Sequence, residues 1–519
     1  MKEYSRTRNA SRNLGMSLLA YAIKIVLSFV VRTLFIRYLG SIYLGVNGLF
    51  SNILQILSLA ELGIGSALVF SMYKPIADKD DEKVKQLLAL YKKIYFSIAC
   101  IVLTIGLVLL PFLKYLIKDV SEVPSDVNIY VIYFILLINS IISYFSAFEV
   151  SLFYVCQRND IVSGIEMFGN IAASILQIIL LITTKNFYVY TIVNLVNVII
   201  QNVLILALGA RAYPEYWGKP KEKLPKEEVK TITSNMGPLV LHKIGAVAAT
   251  GIDSIILSKM IGIFTVGVYA NYALIVTYVT MIPTLLVTSI KSGVGNTIVK
   301  GSIQDNKELF NKLLFMMFWV VGFCSISLFC LFNPFMRVWL KNEELIFPLY
   351  IVLALAIQFF VTNMRLLVNA YKECLGYFKQ DMFKPLVEAV LNVLLSILLT
   401  HYFGVIGVVL GTIISMMAAC VWLEPLILYK NYFKQSVIDY WKRVFLFIVI
   451  IILAGVATYF VCDLILIDGI WGFLIRALIC LFLPNIIFVF TSIKTKEFAY
   501  FLEKIKAIFI RLKSKKNAQ

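Results

Sequence analysis

The sequence predicts an all-α polytopic membrane protein with about fourteen transmembrane helices. Of its 519 residues, 60% are hydrophobic and only 15% are charged, whereas soluble domains carry roughly 25% charged residues. The apolar residues form runs of about twenty, which is the length of a membrane-spanning helix. A transmembrane β-barrel does not fit these runs, because its strands would alternate apolar and polar residues over about ten positions. The composition therefore excludes a soluble enzyme, a disordered chain and a secreted disulfide scaffold.

Fourteen apolar runs follow one another along the chain. They cover residues 13–38, 46–73, 91–113, 128–155, 163–184, 187–209, 233–260, 264–290, 310–332, 346–370, 383–400, 403–428, 443–462 and 469–492. The run at 233–260 is among the least apolar, because it contains Pro238, Lys243 and Asp253. An even number of spans predicts that both termini lie on the same side of the membrane.

The basic residues indicate which side that is. The net charge of +18 comes from 48 basic and 30 acidic residues. About 36 of the 48 basic residues fall in the terminal segments and alternate connections, against six in the opposite connections. Such a bias marks the cytoplasmic side. We therefore expect both termini in the cytoplasm, with the charge attracting anionic membrane lipids rather than nucleic acid.

The sequence repeats with an offset of 222 residues. Gly45 is matched by Gly267, Glu166 by Glu388 and Asn170 by Asn392 at this one shift. We predict two six-helix lobes with pseudo-two-fold symmetry, because both halves begin on the cytoplasmic side and repeat in parallel. The predicted parts are a first lobe (1–209), a cytoplasmic linker (210–230), a second lobe (231–428), two further helices (429–492) and a basic amphipathic tail (493–519).

Charged side chains deep in the membrane are costly, so they are candidates for function. The deepest are Lys24, Arg32, Glu61, Lys243 and Asp253. The polar residues of the first span share one helical face; they are Tyr21, Lys24, Ser28 and Arg32. A water-filled cavity explains the three cations Lys24, Arg32 and Lys243 better than helix–helix contacts do. Cations of this kind bind phosphate through charge-assisted hydrogen bonds. We therefore predict a binding cavity containing Tyr21, Lys24, Ser28, Arg32 and Lys243.

A second group of charged residues lies nearer the cytoplasmic ends of the predicted helices. Glu166 and Glu388 fall near the cytoplasmic ends of their spans, and Arg365 lies in the inner third of its span. We predict coupling or gating roles for these three residues and for Glu61 and Asp253. The eight cysteines form no CxxC pair and the chain has only two histidines. We interpret the cysteines as small buried apolar residues and expect neither a cofactor nor a metal.

The segment RNLGMSLLAYAIKIVLSFVVRTLFIRYLGSIYLGVNGLFSNILQILSLAELGIGSALV (Arg12–Val69), its echo after Thr231 and the span count carry a resemblance. The chain resembles polysaccharide flippases of the Wzx type, within the multidrug/oligosaccharidyl-lipid/polysaccharide exporter superfamily. The resemblance implies alternating-access transport of an undecaprenyl-diphosphate-linked oligosaccharide for surface polysaccharide biosynthesis. It also implies that Lys24, Arg32 and Lys243 engage the diphosphate, and that a polysaccharide polymerase and assembly proteins are partners.

Three other functions remain open at this point. A multidrug exporter of the same superfamily would use acidic residues, here Glu61 and Asp253, for cationic drugs and ion coupling. A lipid II flippase would differ only in its substrate. A membrane-bound glycosyltransferase or polymerase would need a large extramembrane loop with catalytic groups, and the predicted connections are short. We therefore expect a transporter and not an enzyme.

Overall fold

The computed structural model describes residues 6–58, 64–230, 232, 251–377, 380–500 and 502–503. Within these ranges the chain is largely helical and has no β-strand, as predicted. Eleven described helices are long and apolar enough to cross a membrane, and the bent pair Ile129–Phe145 and Ala147–Val155 makes twelve. The number fourteen stays a prediction, because the runs 46–73 and 233–260 include residues outside the described ranges.

The chain divides into two compact units, and the first is Met1–Ala270. Its helices are α1 (Arg6–Tyr38), α2 (Ser41–Leu57), α3 (Ile64–Ala77), α4 (Asp81–Leu109), α5 (Ile129–Ile142), α6 (Ala147–Val155), α7 (Asn159–Thr184) and α8 (Phe187–Ala212). Residues 251–260 are also helical. The sequence sets several of these starts, since the Asn186 side chain accepts from the backbone of Tyr188 and Val189 at the start of α8.

Helices α1, α7 and α8 pack side by side and position the candidate site. Phe35 of α1 is buried and meets Phe187 and Tyr190 of α8 edge to face, with ring centroids 5.8 and 4.8 Å apart. Such aromatic pairs add roughly 0.5–1.5 kcal/mol each beyond the area that they bury. They hold the apolar half of α1 against the unit and leave its polar face to other contacts.

A close glycine contact joins α2 to the beginning of α9 (Ile263–Lys300), whose first residues belong to this unit. A Cβ atom on Gly45 would lie 2.1 Å from the Ile263 carbonyl oxygen, and one on Gly267 would lie 2.0 Å from the Ser41 carbonyl oxygen. The contact is reciprocal at the 222-residue offset, since Ser41 corresponds to Ile263 and Gly45 to Gly267. Reciprocal contacts of this kind are what a two-fold relation produces, which supports the repeat.

The second unit is Asn271–Gln519. It holds the rest of α9 and the helices α10 (Ile303–Leu340), α11 (Leu349–Cys374), α12 (Lys384–Phe403), α13 (Val405–Phe433), α14 (Ile438–Asp463) and α15 (Gly469–Ser492). Helix α10 is central and packs against α11, α14 and α15. Phe318 of α10 stacks on Phe447 of α14 at 4.3 Å and contacts Phe488 of α15 at 5.1 Å.

Helix α13 contains two π-helical stretches, Met417–Val421 and Tyr429–Phe433. Such π-helical turns widen a helix locally and often occur near functional groups.

In the predicted linker, Pro214–Tyr216 forms a short 3₁₀ turn and residues 217–225 form no helix. Most of the predicted amphipathic tail lies outside the described residues, and the predicted lobe boundaries stay predictions.

Candidate functional site

The first unit contains a cavity of about 410 Å³ between α1, α6 and α7, which we name the α1–α7 cavity. Its polar lining residues are Tyr21, Lys24, Tyr154, Asn159, Ser163, Glu166 and Asn170. Tyr21 and Lys24 are one turn apart on α1, so both side chains point to the same side of the helix. The structure therefore brings the predicted residues Tyr21, Lys24 and Glu166 to one cavity.

Helix α7 contributes a polar face that is not part of the predicted binding cavity. Asn159, Ser163, Glu166 and Asn170 are spaced by four, three and four residues, which places them along one side of the helix. The sequence contains this spacing, but the predicted site includes only Glu166 from this helix, as a coupling or gating residue near its cytoplasmic end. The cavity is formed where this face of α7 meets the polar face of α1.

Lys24 and Glu166 interact electrostatically across the cavity. Among the described residues, neither side chain forms an ion pair within 4.0 Å. The Lys24 side chain is exposed to the cavity, so its ammonium group can still bind an anion. A single cation beside a carboxylate at moderate distance is a site that can both bind and release a negatively charged group.

Amide groups of α8 support the floor of this cavity. The Asn170 side-chain oxygen accepts hydrogen bonds from Asn197 at 3.1 Å and from Gln201 at 3.2 Å. Gly169 permits this approach, since a Cβ there would lie 2.6 Å from the Gln201 amide nitrogen. These hydrogen bonds fix the orientation of the Asn170 amide, which lines the cavity.

The other predicted cavity residues lie elsewhere or outside the described part. Arg32 lies eight residues beyond Lys24, roughly 12 Å along the helix, and acts on the Tyr190 hydroxyl of α8. Ser28 is half-buried on α1, and neither residue lines the α1–α7 cavity. Lys243 and Glu61 lie outside the described residues. The pocket of three cations therefore stays a prediction. Of the two cations that the structure describes, Lys24 lines the α1–α7 cavity and Arg32 does not.

Asp253 is buried in the helical segment 251–260. Its carboxylate accepts a hydrogen bond from the Tyr269 hydroxyl at 3.2 Å. The next residue, Ser254, accepts from the Asn52 side chain of α2 at 2.6 Å. Asp253 thus belongs to a polar contact that joins this segment to α2 and to the start of α9.

Arg365 lies in a buried ionic network in the second unit, which we name the unit 2 charge cluster. Its members are Arg365, Lys372, Asp381, Lys384, Glu388 and Glu424. The Arg365 guanidinium donates to both Glu424 oxygens, at 3.0 and 2.8 Å, and lies 3.5 Å from Glu388. This bidentate geometry is the strongest form of an arginine–carboxylate pair. The predicted residues Arg365 and Glu388 are therefore brought together, with Glu424 as their partner.

The remaining members complete the charge balance of this cluster. Lys384 pairs with Glu424 and lies 3.2 Å from Asp381, which also binds Lys372. The Cys420 thiol donates to Glu388 at 2.9 Å. Three cations thus face three carboxylates, and burial without such pairing would cost several kcal/mol per charge. The gating role of Arg365 and Glu388 stays a prediction. Their contacts show that both residues neutralise buried charges within the unit 2 charge cluster.

Comparison with known proteins agrees with this fold. Residues 10–292 match the family described as polysaccharide biosynthesis protein. No curated protein sequence matches the chain at a significant level. The lipid II flippase MurJ in an inward closed conformation is similar in structure, with 16% identity, a TM-score of 0.67, and coverage of 92% of this chain and 98% of MurJ.

Two transporter structures are similar over slightly less of the chain. An inward-facing MATE family multidrug resistance transporter of the MOP superfamily has 16% identity, a TM-score of 0.58, and coverage of 81% and 99% of the two chains. VcmN, a MATE transporter of Vibrio cholerae in its bent form, has 16% identity, a TM-score of 0.53, and coverage of 82% and 98%. The fold is thus that of multi-pass flippases and transporters, and the chain belongs to the polysaccharide biosynthesis protein family.

Proposed function

We propose that this protein is a flippase that moves an undecaprenyl-diphosphate-linked oligosaccharide across the bacterial cytoplasmic membrane by alternating access. The family match and the flippase-like fold support transport for polysaccharide biosynthesis. The observation that carries the substrate class is Lys24 in the α1–α7 cavity, surrounded by hydroxyl, amide and phenol groups. A diphosphate attached to a sugar needs this combination of a cation and neutral hydrogen-bonding groups.

The chemistry of binding follows from these groups. The Lys24 ammonium donates charge-assisted hydrogen bonds to a diphosphate oxygen, each about twice as strong as a neutral hydrogen bond. Tyr21, Tyr154 and the α7 amides offer donors, acceptors and flat apolar faces to the sugar. Glu166 competes with the diphosphate for Lys24, which keeps the binding weak enough for release.

The other predicted residues extend this proposal. Arg32 and Lys243 supply further positive charge for the diphosphate, and Glu61 or Asp253 couples transport to a proton or sodium gradient. Both termini lie in the cytoplasm, anionic lipids contact the basic connections, and polymerase and assembly proteins receive the translocated unit.

Transport of lipid II is a second candidate, and the similarity to MurJ over 92% of this chain favours it. Both substrates carry a diphosphate on a polyprenyl lipid, so the same cavity chemistry suits each. Deleting the gene distinguishes them, because the lipid-linked glycan that accumulates on the inner leaflet is the substrate. Accumulation of lipid II with normal surface polymer would favour the second candidate.

The role of Lys24 is tested by replacing it with alanine in cells that depend on this protein. Loss of a charge-assisted hydrogen bond of roughly 1.5–3 kcal/mol should weaken substrate binding by about 10- to 150-fold and lower the amount of surface polymer accordingly. Lys24→Arg should restore part of the export, since it keeps the charge. Lys93→Ala removes an exposed lysine outside the α1–α7 cavity and is the matched control. Full surface polymer in Lys24→Ala, at normal protein levels, would contradict the proposal.

A further inference from the structure

Three cysteines from three different helices meet inside the second unit. Cys330 of α10, Cys462 of α14 and Cys480 of α15 are 5%, 4% and 1% exposed. Their sulfur atoms all lie within 4.8 Å of one another, and the Sγ atoms of Cys462 and Cys480 are 3.8 Å apart. Residues as far apart in sequence as these do not converge through local helix geometry, so the packing of α10, α14 and α15 itself builds the cluster.

The sulfur spacing suits a bound metal ion. Zinc–thiolate bonds of about 2.3 Å at tetrahedral angles place two sulfur atoms about 3.8 Å apart. A disulfide would need a distance of about 2.05 Å, so the Cys462–Cys480 pair is as far apart as two ligands of one ion. Soft thiolate ligands select zinc and related thiophilic metals over magnesium or calcium.

A fixed positive charge lies beside the cluster. The Arg476 guanidinium donates to the carbonyl oxygens of Cys462 at 3.2 Å, of Ile467 at 3.4 Å, and of Ile465. It also acts electrostatically on Cys462. A divalent ion on three thiolates carries one net negative charge, and one guanidinium balances it. This neutrality matters because an unbalanced charge in a buried site is costly.

The cluster lies close to the end of α14. Cys462 is the last residue but one of α14, and the connection to α15 that follows it is exposed at Leu464 and Leu466. Among the described residues, no fourth histidine, cysteine or carboxylate joins the group. The fourth position of a tetrahedral ion is then left for water or another exchangeable ligand.

We propose that Cys330, Cys462 and Cys480 bind one zinc-class metal ion that fastens α14 and α15 to α10. Each thiol loses its proton when it coordinates the ion, so binding releases protons and weakens as the pH falls. This site is independent of the proposed substrate, because it lies in the second unit and the α1–α7 cavity lies in the first. It also revises the interpretation of these three cysteines as merely apolar residues.

Metal titration of the purified full-length protein tests the site. The protein is reduced with a phosphine, stripped of metal with a chelator and titrated with Zn²⁺ or Co²⁺. We expect one ion per chain, and with Co²⁺ a thiolate-to-cobalt charge-transfer band. Cys462→Ser and Cys480→Ser should each weaken binding by at least tenfold. Cys324→Ser is the matched control, because Cys324 is equally buried on α10 and is not part of the group.

Thiol alkylation gives a second readout on the unmodified protein. In a mild denaturant that makes these buried thiols reactive, zinc should protect Cys330, Cys462 and Cys480 from a maleimide, as read by peptide mass spectrometry, while the exposed Cys100 reacts at the same rate with or without the metal. This measurement needs no variant, so a variant that fails to fold does not decide the matter. Equal alkylation with and without zinc, or equal metal binding by Cys462→Ser and Cys324→Ser, would overturn the proposal.

Discussion

Replacing Gly45 by alanine should force α2 away from the start of α9. The added Cβ would lie 2.1 Å from the Ile263 carbonyl oxygen. Relief to an ordinary contact of 3.4 Å needs a displacement of about 1.3 Å, and both partners are backbone atoms that cannot rotate away. Gly267→Ala meets the same obstacle from the other side, at 2.0 Å from the Ser41 carbonyl oxygen.

The expected loss of stability follows from two opposed effects. Alanine in place of a helical glycine gains roughly 0.5–1 kcal/mol, whereas overpacking of this kind costs about 1–3 kcal/mol, or more where backbone must move. Gly48→Ala on the same helix isolates the gain, because its Cβ would lie 3.8 Å from the nearest atom. The difference between Gly45→Ala and Gly48→Ala should therefore be about 1–3 kcal/mol of unfolding free energy.

Thermal unfolding of the detergent-solubilised protein measures this difference. For a unit of this size, about 1–3 kcal/mol corresponds to a fall of roughly 2–12 °C in Tm. The double variant Gly45→Ala/Gly267→Ala should cost less than the sum of the single variants, since one displacement makes room for both methyl groups. Equal Tm values for Gly45→Ala and Gly48→Ala, or strictly additive losses, would refute the close reciprocal contact.

The charged residues lead to three further predictions. Arg365→Met leaves the Glu424 carboxylate buried with less compensation and should lower stability by about 3–5 kcal/mol, measured as a fall in Tm, whereas Arg365→Met/Glu424→Leu should recover part of it. Glu388→Gln should also lower the Tm, because Glu388 neutralises Arg365 and accepts from Cys420; an unchanged Tm would contradict this. Glu166→Gln should leave the Tm unchanged and alter the amount of surface polymer, since Glu166 faces a cavity; a fall in Tm without an effect on export would count against it.

The fold class could be predicted from the sequence because the membrane imposes it. A chain with 60% hydrophobic residues in runs of about twenty has few alternatives to helices, since every backbone polar group must be satisfied within lipid. The bend of 41° between α5 and α6 is not predicted, because hydropathy carries no information on where a helix bends.

The candidate site could be predicted only in part. The i, i+3 spacing of Tyr21 and Lys24 predicts that these two side chains share a face, because helical periodicity fixes which side chains do so, and both line the α1–α7 cavity. The second wall on α7 depends on which helix packs against α1, and that is a tertiary fact. The pairing of Arg365 with Glu424, 59 residues further along the chain, is likewise set by packing and not by spacing.

The two matched glutamates show how the halves of the repeat have diverged. Glu166 lines an open cavity and interacts with Lys24, whereas its counterpart Glu388 is buried beside Arg365 and Cys420. At the same offset, Lys384 of the buried network corresponds to Val162, so the first unit lacks that cation. A carboxylate closed into a balanced network cannot exchange partners without a large loss of stability, whereas one across from a solvated ammonium can. Ligand exchange is therefore expected in the first unit, and the same position in the second unit maintains its structure.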